Sequence, residues 1–258
     1  MSALSSEKLA REAFAGAVSR ARANSSFLAN LLDREADFAA SALNRRVLFD
    51  PDVPVAKSLR LARRQLALQV AIGDLAGLFD LSEVTKALTA FADDVLDRAI
   101  RAAMLERTPE AKPAGFAAIA LGKQGSGELN YSSDIDPIFL FDPQILPRRA
   151  NEEAVDAAVR IGRRVIELLQ ARDADGSVAM AFQQHAAGAH ACLLALPSSK
   201  WELSAGCPGA NPAALQSGRV ADRNWQLLDW QPHGAMAGTL QLHWSDGSKS
   251  RLYLELLP

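Results

Sequence analysis

Residues 115–143, GFAAIALGKQGSGELNYSSDIDPIFLFDP, constrain this chain more than any other stretch. Two apolar runs flank a polar, glycine-rich segment, a pattern that predicts two strands joined by a turn. The first run, residues 116–121, has the length and composition of a buried strand, and the second, residues 135–141, reads the same way. Between them lies Gly122-Lys123-Gln124-Gly125-Ser126-Gly127-Glu128, and Asp134 and Asp136 stand at the entrance to the second run.

Side chains two apart on a strand point to one face, so Asp134 and Asp136 are expected to project side by side. Like charges that close repel and need compensation, either a shared proton or bound cations. Hard oxygen ligands with an open side suit Mg²⁺ bridging to the phosphates of a nucleotide. Gly125 and Ser126 can bring backbone N–H groups and a hydroxyl against those phosphates, because glycine lets the main chain approach closely. A bare D-x-D reads more often as a solvated strand end. Joined to the strand and the glycine turn, it is far more specific.

The layout of strand, Gly-Ser turn, short spacer and D-x-D opening a second strand resembles the nucleotidyltransferase superfamily. The wider string L-G-K-x-G-x-x-E-L-N-Y-S-S-D-I-D closely resembles the signature of the glutamine synthetase adenylyltransferase/adenylyl-removing enzyme family, in the wording of its amino-terminal, adenylyl-removing half. The resemblance implies Mg²⁺ held by Asp134 and Asp136, with Gly122, Lys123, Gly125, Ser126 and Ser133 around an ATP, ADP or AMP substrate or product. It further implies removal of AMP from a tyrosine of glutamine synthetase by phosphorolysis, with the PII signal protein as regulator. Lys123 reads equally as a point charge for phosphate or as a solvated loop lysine. Glu128 and Asn130 are expected to brace the loop by hydrogen bonds, and Ser133 to orient the aspartates.

Composition excludes several classes. A net charge of −2 and a pI near 6.1 give no basic surplus for nucleic-acid binding. No apolar run approaches the roughly 20 residues that span a bilayer, and the first residues lack the continuous apolar core of a signal peptide. A cytoplasmic protein is expected, with no membrane partner. Two cysteines, Cys192 and Cys207, do not make a disulfide framework.

Alanine and leucine stripes predict helices from about residue 5 to residue 105. One covers residues 56–79; another starts at Ser82, read as its N-cap, with Glu83 in its first turn. Residues 59–104 also resemble the scaffold helices that precede the motif in the same family. A further helix is expected over residues 151–172, capped by Asn151, with Val155, Val159, Val165, Ile166 and Leu169 as its buried stripe.

The resemblance stops near Gly176. In the family the next strand carries an R-V-D-x-R-L-R-P-like string whose aspartate completes the metal ligands. Counting onward from Asp175-Gly176 places that aspartate at Phe182, and no carboxylate occurs between Asp175 and Glu202. Pro137 is a smaller departure, where an aliphatic residue is usual. All four tryptophans, all four histidines and both cysteines follow Gly176, but only 10 of the 58 charged residues do, which places a boundary there.

In the tail, Leu240, Leu242 and Trp244 alternate, residues 245–248 form an Asp-Gly type of turn, and Leu252, Leu254 and Leu256 alternate beyond it, which predicts a β-hairpin. Residues 224–231 offer a third strand. His185, His190, Cys192 and Cys207 lack metal-ligand spacing, and Trp201, Trp225, Trp230 and Trp244 are expected to pack under the small sheet.

The expected fold is therefore α+β: a helical region (1–112), an incomplete, polymerase-beta-like nucleotidyltransferase core without its usual closing strand (113–176) and a small β-rich tail (177–258). Two functional readings stand. One is an enzyme of nucleotidyl transfer whose third carboxylate comes from elsewhere, such as Asp173, Asp175 or a residue of the tail. The other is a catalytically incomplete family member, truncated, frameshifted or fused, that binds a nucleotide or partner.

Overall fold

The computed structural model describes residues 3–174, 176–184, 191–195, 217–220, 223–232, 237–244 and 249–257. His185, His190, Trp201, Cys207, Asp175 and the turn at 245–248 lie outside them. The chain divides into two units: Met1–Val95 with Gly127–Ser133 and Arg172–Ala179, and Leu96–Ser126 with Asp134–Ala171 and Met180–Pro258.

The first unit is helical. It contains α1 (Ala3–Asn24), α2 (Ser26–Arg34), α3 (Ala36–Ala39), a 3₁₀ turn (Ala42–Asn44), α4 (Val55–Leu75) and the first part of α5 (Leu81–Leu105). Ala17 and Ala21 of α1, Leu31 and Leu32 of α2, and Leu68 and Ile72 of α4 share one apolar cluster. The small α1 residues let neighbouring helices approach closely, and the leucines fill the space between.

Both boundaries of the α4–α5 turn differ from the sequence expectation. Helix α4 stops at Leu75 rather than Phe79, because Gly77 takes a positive φ of 67° and ends the helix. The Leu78 N–H then reaches the Gly73 carbonyl at 2.9 Å, and the Gly77 N–H reaches that of Asp74 at 2.9 Å. That pair of bonds is the Schellman termination. Gly73 also leaves room for the Phe79 ring, which a Cβ there would meet at 2.3 Å. Helix α5 is capped by Asp80, not Ser82: Asp80 Oδ1 accepts from the Glu83 N–H and Glu83 Oε2 accepts from the Asp80 N–H, each at 2.8 Å. This reciprocal capping box satisfies two otherwise unpaired donors.

The second unit is built on a sheet. Strand β1 (Phe116–Ala120) pairs antiparallel with β2 (Pro137–Phe141), Ala120 opposite Pro137 and Phe116 opposite Phe141. Strand β3 (Ala191–Ala195) runs parallel to β2 on its other edge, the edge that the sequence left without its usual strand. The sheet continues through β7 (Lys249–Leu257), β6 (Ala237–Trp244), β5 (Arg223–Pro232) and β4 (Ser217–Val220), in the order β1-β2-β3-β7-β6-β5-β4. Strands β6 and β7 pair antiparallel with Leu240 opposite Leu252. Among the described residues no helix is long and apolar enough to cross a membrane.

Helix α7 (Ala154–Gln170) packs on β3 and β7 and buries Ile161, Val165, Ile166 and Leu169. Phe139 and Leu193, opposite one another on β2 and β3, are fully buried. The helix begins two residues later than a cap at Asn151 would give. Glu153 occupies the cap position without a side-chain bond, and Glu152 is turned to Arg160 at 2.9 Å. The Arg160 hydrogen bond holds the Glu152 carboxyl below the usual carboxylate range.

Candidate active site

The segment between β1 and β2, expected from the sequence as a Gly-Ser turn, begins with a single helical turn, α6 (Gly122–Gly125). Its start needs a positive φ, 54° at Gly122, and its end needs the absence of a side chain. A Cβ on Gly125 would lie 2.6 Å from the Ala120 carbonyl oxygen, so glycine lets the turn fold back onto the end of β1. The Ser126 hydroxyl bonds to the carbonyls of Gly122 and Lys123, at 3.3 Å each, and Lys123 is exposed.

Residues 127–133, in the first unit, are tied by Asn130. Its Oδ1 accepts from the Ser132 N–H at 3.0 Å and from the Ser133 hydroxyl at 2.9 Å, while its own N–H donates to Ser133 Oγ at 3.0 Å. Asn130 thus braces the loop as expected of it. Ser133 spends its hydroxyl on that brace. Leu129 is buried and its N–H donates to Thr89 Oγ1 at 3.2 Å, anchoring the loop to α5. Tyr131 was not singled out from sequence; its hydroxyl donates to Asp74 at 3.0 Å, and burial, then Asp74, pushes its pKa up.

Asp134 and Asp136 enter β2 in the second unit. The Leu121 N–H donates to the Asp136 carbonyl at 3.2 Å, which extends the β1–β2 ladder to the base of the pair. On the other edge Ile135 bridges in parallel to Phe182: the Ile135 N–H donates to the Ala181 carbonyl at 2.9 Å, and the Gln183 N–H donates to the Ile135 carbonyl at 2.8 Å. Residues paired across a ladder share a face. Ile135 and Phe182, 1% and 5% exposed, therefore point together into the core. Asp134 is exposed and Asp136 half-buried on the opposite face, and the neighbours that share it are Ala181 and Gln183, both exposed.

The register changes what the sequence count implied. Phe182 borders the pair along the chain, but its ring lies on the other side of the sheet. Neither Ala181 nor Gln183 carries a charge. Asp173, offered from sequence as a substitute ligand, is engaged in the first unit, where Arg64 reaches it at 2.9 Å and Arg34 at 3.3 Å; Arg64 also binds Glu35 at 2.8 Å.

Among the described residues no cluster of three or more His, Cys, Asp or Glu side chains is placed to hold a metal ion. Two carboxylates on one open face nonetheless fit Mg²⁺, which keeps several waters and completes its octahedron with phosphate oxygens rather than an all-protein cage.

Comparison with known proteins identifies the family of the sequence. The family model described as glutamate-ammonia ligase adenylyltransferase matches residues 18–181, ending beside the Ile135–Phe182 bridge. A bifunctional glutamine synthetase adenylyltransferase/adenylyl-removing enzyme of Xanthobacter autotrophicus is 40% identical over 161 residues, 58% of this chain and 16% of that relative. Its counterpart in Caulobacter vibrioides is 40% identical over 152 residues, 54% of this chain and 15% of the relative. The one in Neisseria meningitidis is 34% identical over 158 residues, 56% and 17%. The chain thus spans about a sixth of the length of the curated relatives it matches. By the extent of the family match, this chain belongs to the glutamate-ammonia ligase adenylyltransferase family.

Proposed function

We propose that the chain carries the nucleotide site of an adenylyl-removing domain, acting in the cytoplasm on adenylylated glutamine synthetase under the PII signal protein. The observation that carries this reading is the Asp134/Asp136 pair, set on the open face of the entrance to β2 inside the family-matched residues. The region at 113–176 serves as a polymerase-beta-like core, preceded by helical scaffold and followed by a β-rich tail.

In the proposed reaction a phosphate oxygen attacks the adenylyl phosphorus. The bond from phosphorus to the tyrosine oxygen breaks, ADP forms and the tyrosine oxygen takes up a proton. Mg²⁺, when bound, neutralises phosphate charge and stabilises the charge that develops at phosphorus. Asp134 and Asp136 hold the cation. Gly122 and Gly125 let the backbone run close to the phosphates, Ser126 and Ser133 stabilise the loop ends that position them, and Lys123 offers a point charge.

The test is release of ADP from adenylylated glutamine synthetase with phosphate and Mg²⁺, comparing the chain with its Asp134→Asn/Asp136→Asn form. Release that disappears in the double variant supports the reading. Equal release from both contradicts it. No release from either, with both folded, would leave nucleotide binding without turnover, consistent with the uncharged flank at Ala181 and Gln183.

A further inference from the structure

We propose that Arg63 of α4 is an oxyanion-binding residue, and that the group it takes is a phosphate, either free or carried by a nucleotide. The inference concerns the helical unit and makes no use of Asp134 or Asp136.

Two successive arginines of α4 are treated differently. Arg64 is held by two carboxylates, Glu35 at 2.8 Å and Asp173 at 2.9 Å. Arg63 is half-buried, and its Nη2 donates to the Tyr131 carbonyl at 3.2 Å. That is long for a bond from a charged donor, which ordinarily measures about 2.7–2.9 Å. Its Nη1 is enclosed and has no acceptor among the described residues. Burial pushes the pKa of Arg63 down, and no carboxylate among the described residues opposes the shift.

A charged fork of five donors is costly to bury against a single neutral carbonyl. An oxyanion offsets that cost, because it supplies the opposite charge and can accept from two guanidinium N–H groups at once. Arg60 stands one turn earlier on the same face of α4 and is also half-buried. Two guanidinium groups on one face match a phosphate dianion better than a single carboxylate. The way in is at the loop. Tyr131 is 40% exposed and its hydroxyl is tied to Asp74 at 3.0 Å, so the carbonyl bond to Nη2 lies at the surface, where an arriving phosphate can replace it.

The experiment is calorimetric titration of the full chain with inorganic phosphate and, separately, with ADP in EDTA, at constant ionic strength made up with chloride. The same titrations on Arg63→Met, Arg63→Lys and Asp134→Asn/Asp136→Asn, with urea unfolding of each form in chloride, complete it. Phosphate binding to the parent chain identifies a free-anion site; binding of ADP alone identifies the phosphate of a nucleotide. Either supports the inference when Arg63→Met weakens it at least tenfold. The urea midpoint of Arg63→Met should be no lower than the parent's, because the variant removes a buried cation that lacks a carboxylate. Arg63→Lys keeps the charge without the fork and should bind at least threefold more weakly, which decides the matter if Arg63→Met does not fold. The aspartate variant should bind inorganic phosphate as the parent does. Affinity indifferent to both Arg63 variants, or a parent chain that binds neither ligand, overturns the inference. ADP binding that depends on the aspartates and not on Arg63 also overturns it, while the nucleotide-site reading stands.

Discussion

The two faces at the entrance to β2 have opposite characters though they alternate residue by residue. On one, Ile135 and Phe182 pair across the parallel bridge and are buried. On the other, Asp134 and Asp136 stand beside Ala181 and Gln183 and meet solvent. The buried face keeps the ladder in register, and the open face inherits its geometry from that register. Apolar pairing and backbone bonds set this register whatever residues stand on the open face.

The largest expected effect tests the asymmetry directly. Phe182→Asp removes a buried ring and puts a carboxylate in its place, so it should cost at least about 3–5 kcal/mol. Ala181→Asp, one residue away on the open face, should cost within about 0.5 kcal/mol. Urea unfolding of the two variants gives the comparison, and equal losses would break it. Gly125→Ala comes next: its methyl would meet the Ala120 carbonyl oxygen at 2.6 Å, a backbone atom that cannot swing aside. A cost of about 1–3 kcal/mol is expected, together with weaker nucleotide binding as the turn moves off β1.

A cap belonging to neither face separates stability from binding. Asp80→Ala should remove about 1 kcal/mol by deleting the acceptor for the Glu83 N–H, and should leave nucleotide affinity unchanged. The smallest effect is in pH. Glu152 has its pKa lowered in the folded chain, so its contribution is present above the unfolded carboxylate pKa and is lost as pH falls through the lower folded value. Arg160→Gln should reduce stability at neutral pH by roughly 0.5–1 kcal/mol, with the difference from the parent chain shrinking in acid. A difference that grew on acidification would contradict the pairing.

The strand pair was legible because short apolar runs on either side of a glycine-rich segment are a local signal. The helices were legible in existence but not in their ends. Ser82 looks like a cap from composition, yet Asp80 with Glu83 three residues on satisfies two donors at once and wins. Asn151 loses its place because Glu152 is drawn to Arg160 and the helix starts at Ala154. Gly77 ends α4 through its positive φ, a signal present in the sequence that the helical stripe outweighed.

The flank of the site was not legible for a different reason. Counting from Gly176 brings Phe182 to the aspartates along the chain, but faces are assigned by hydrogen-bond register, and a shift of one residue exchanges them. Only the bonds from Ile135 to Ala181 and Gln183 show that the neighbours are a methyl and a carboxamide.

The proposal that Asp134 and Asp136 form a cation-dependent nucleotide site stands or falls on titration of the chain with Mg²⁺-ATP against its Asp134→Asn/Asp136→Asn form. Affinity at least tenfold weaker in the double variant, with unfolding unchanged, is the predicted result. Equal affinity in the two forms would contradict it.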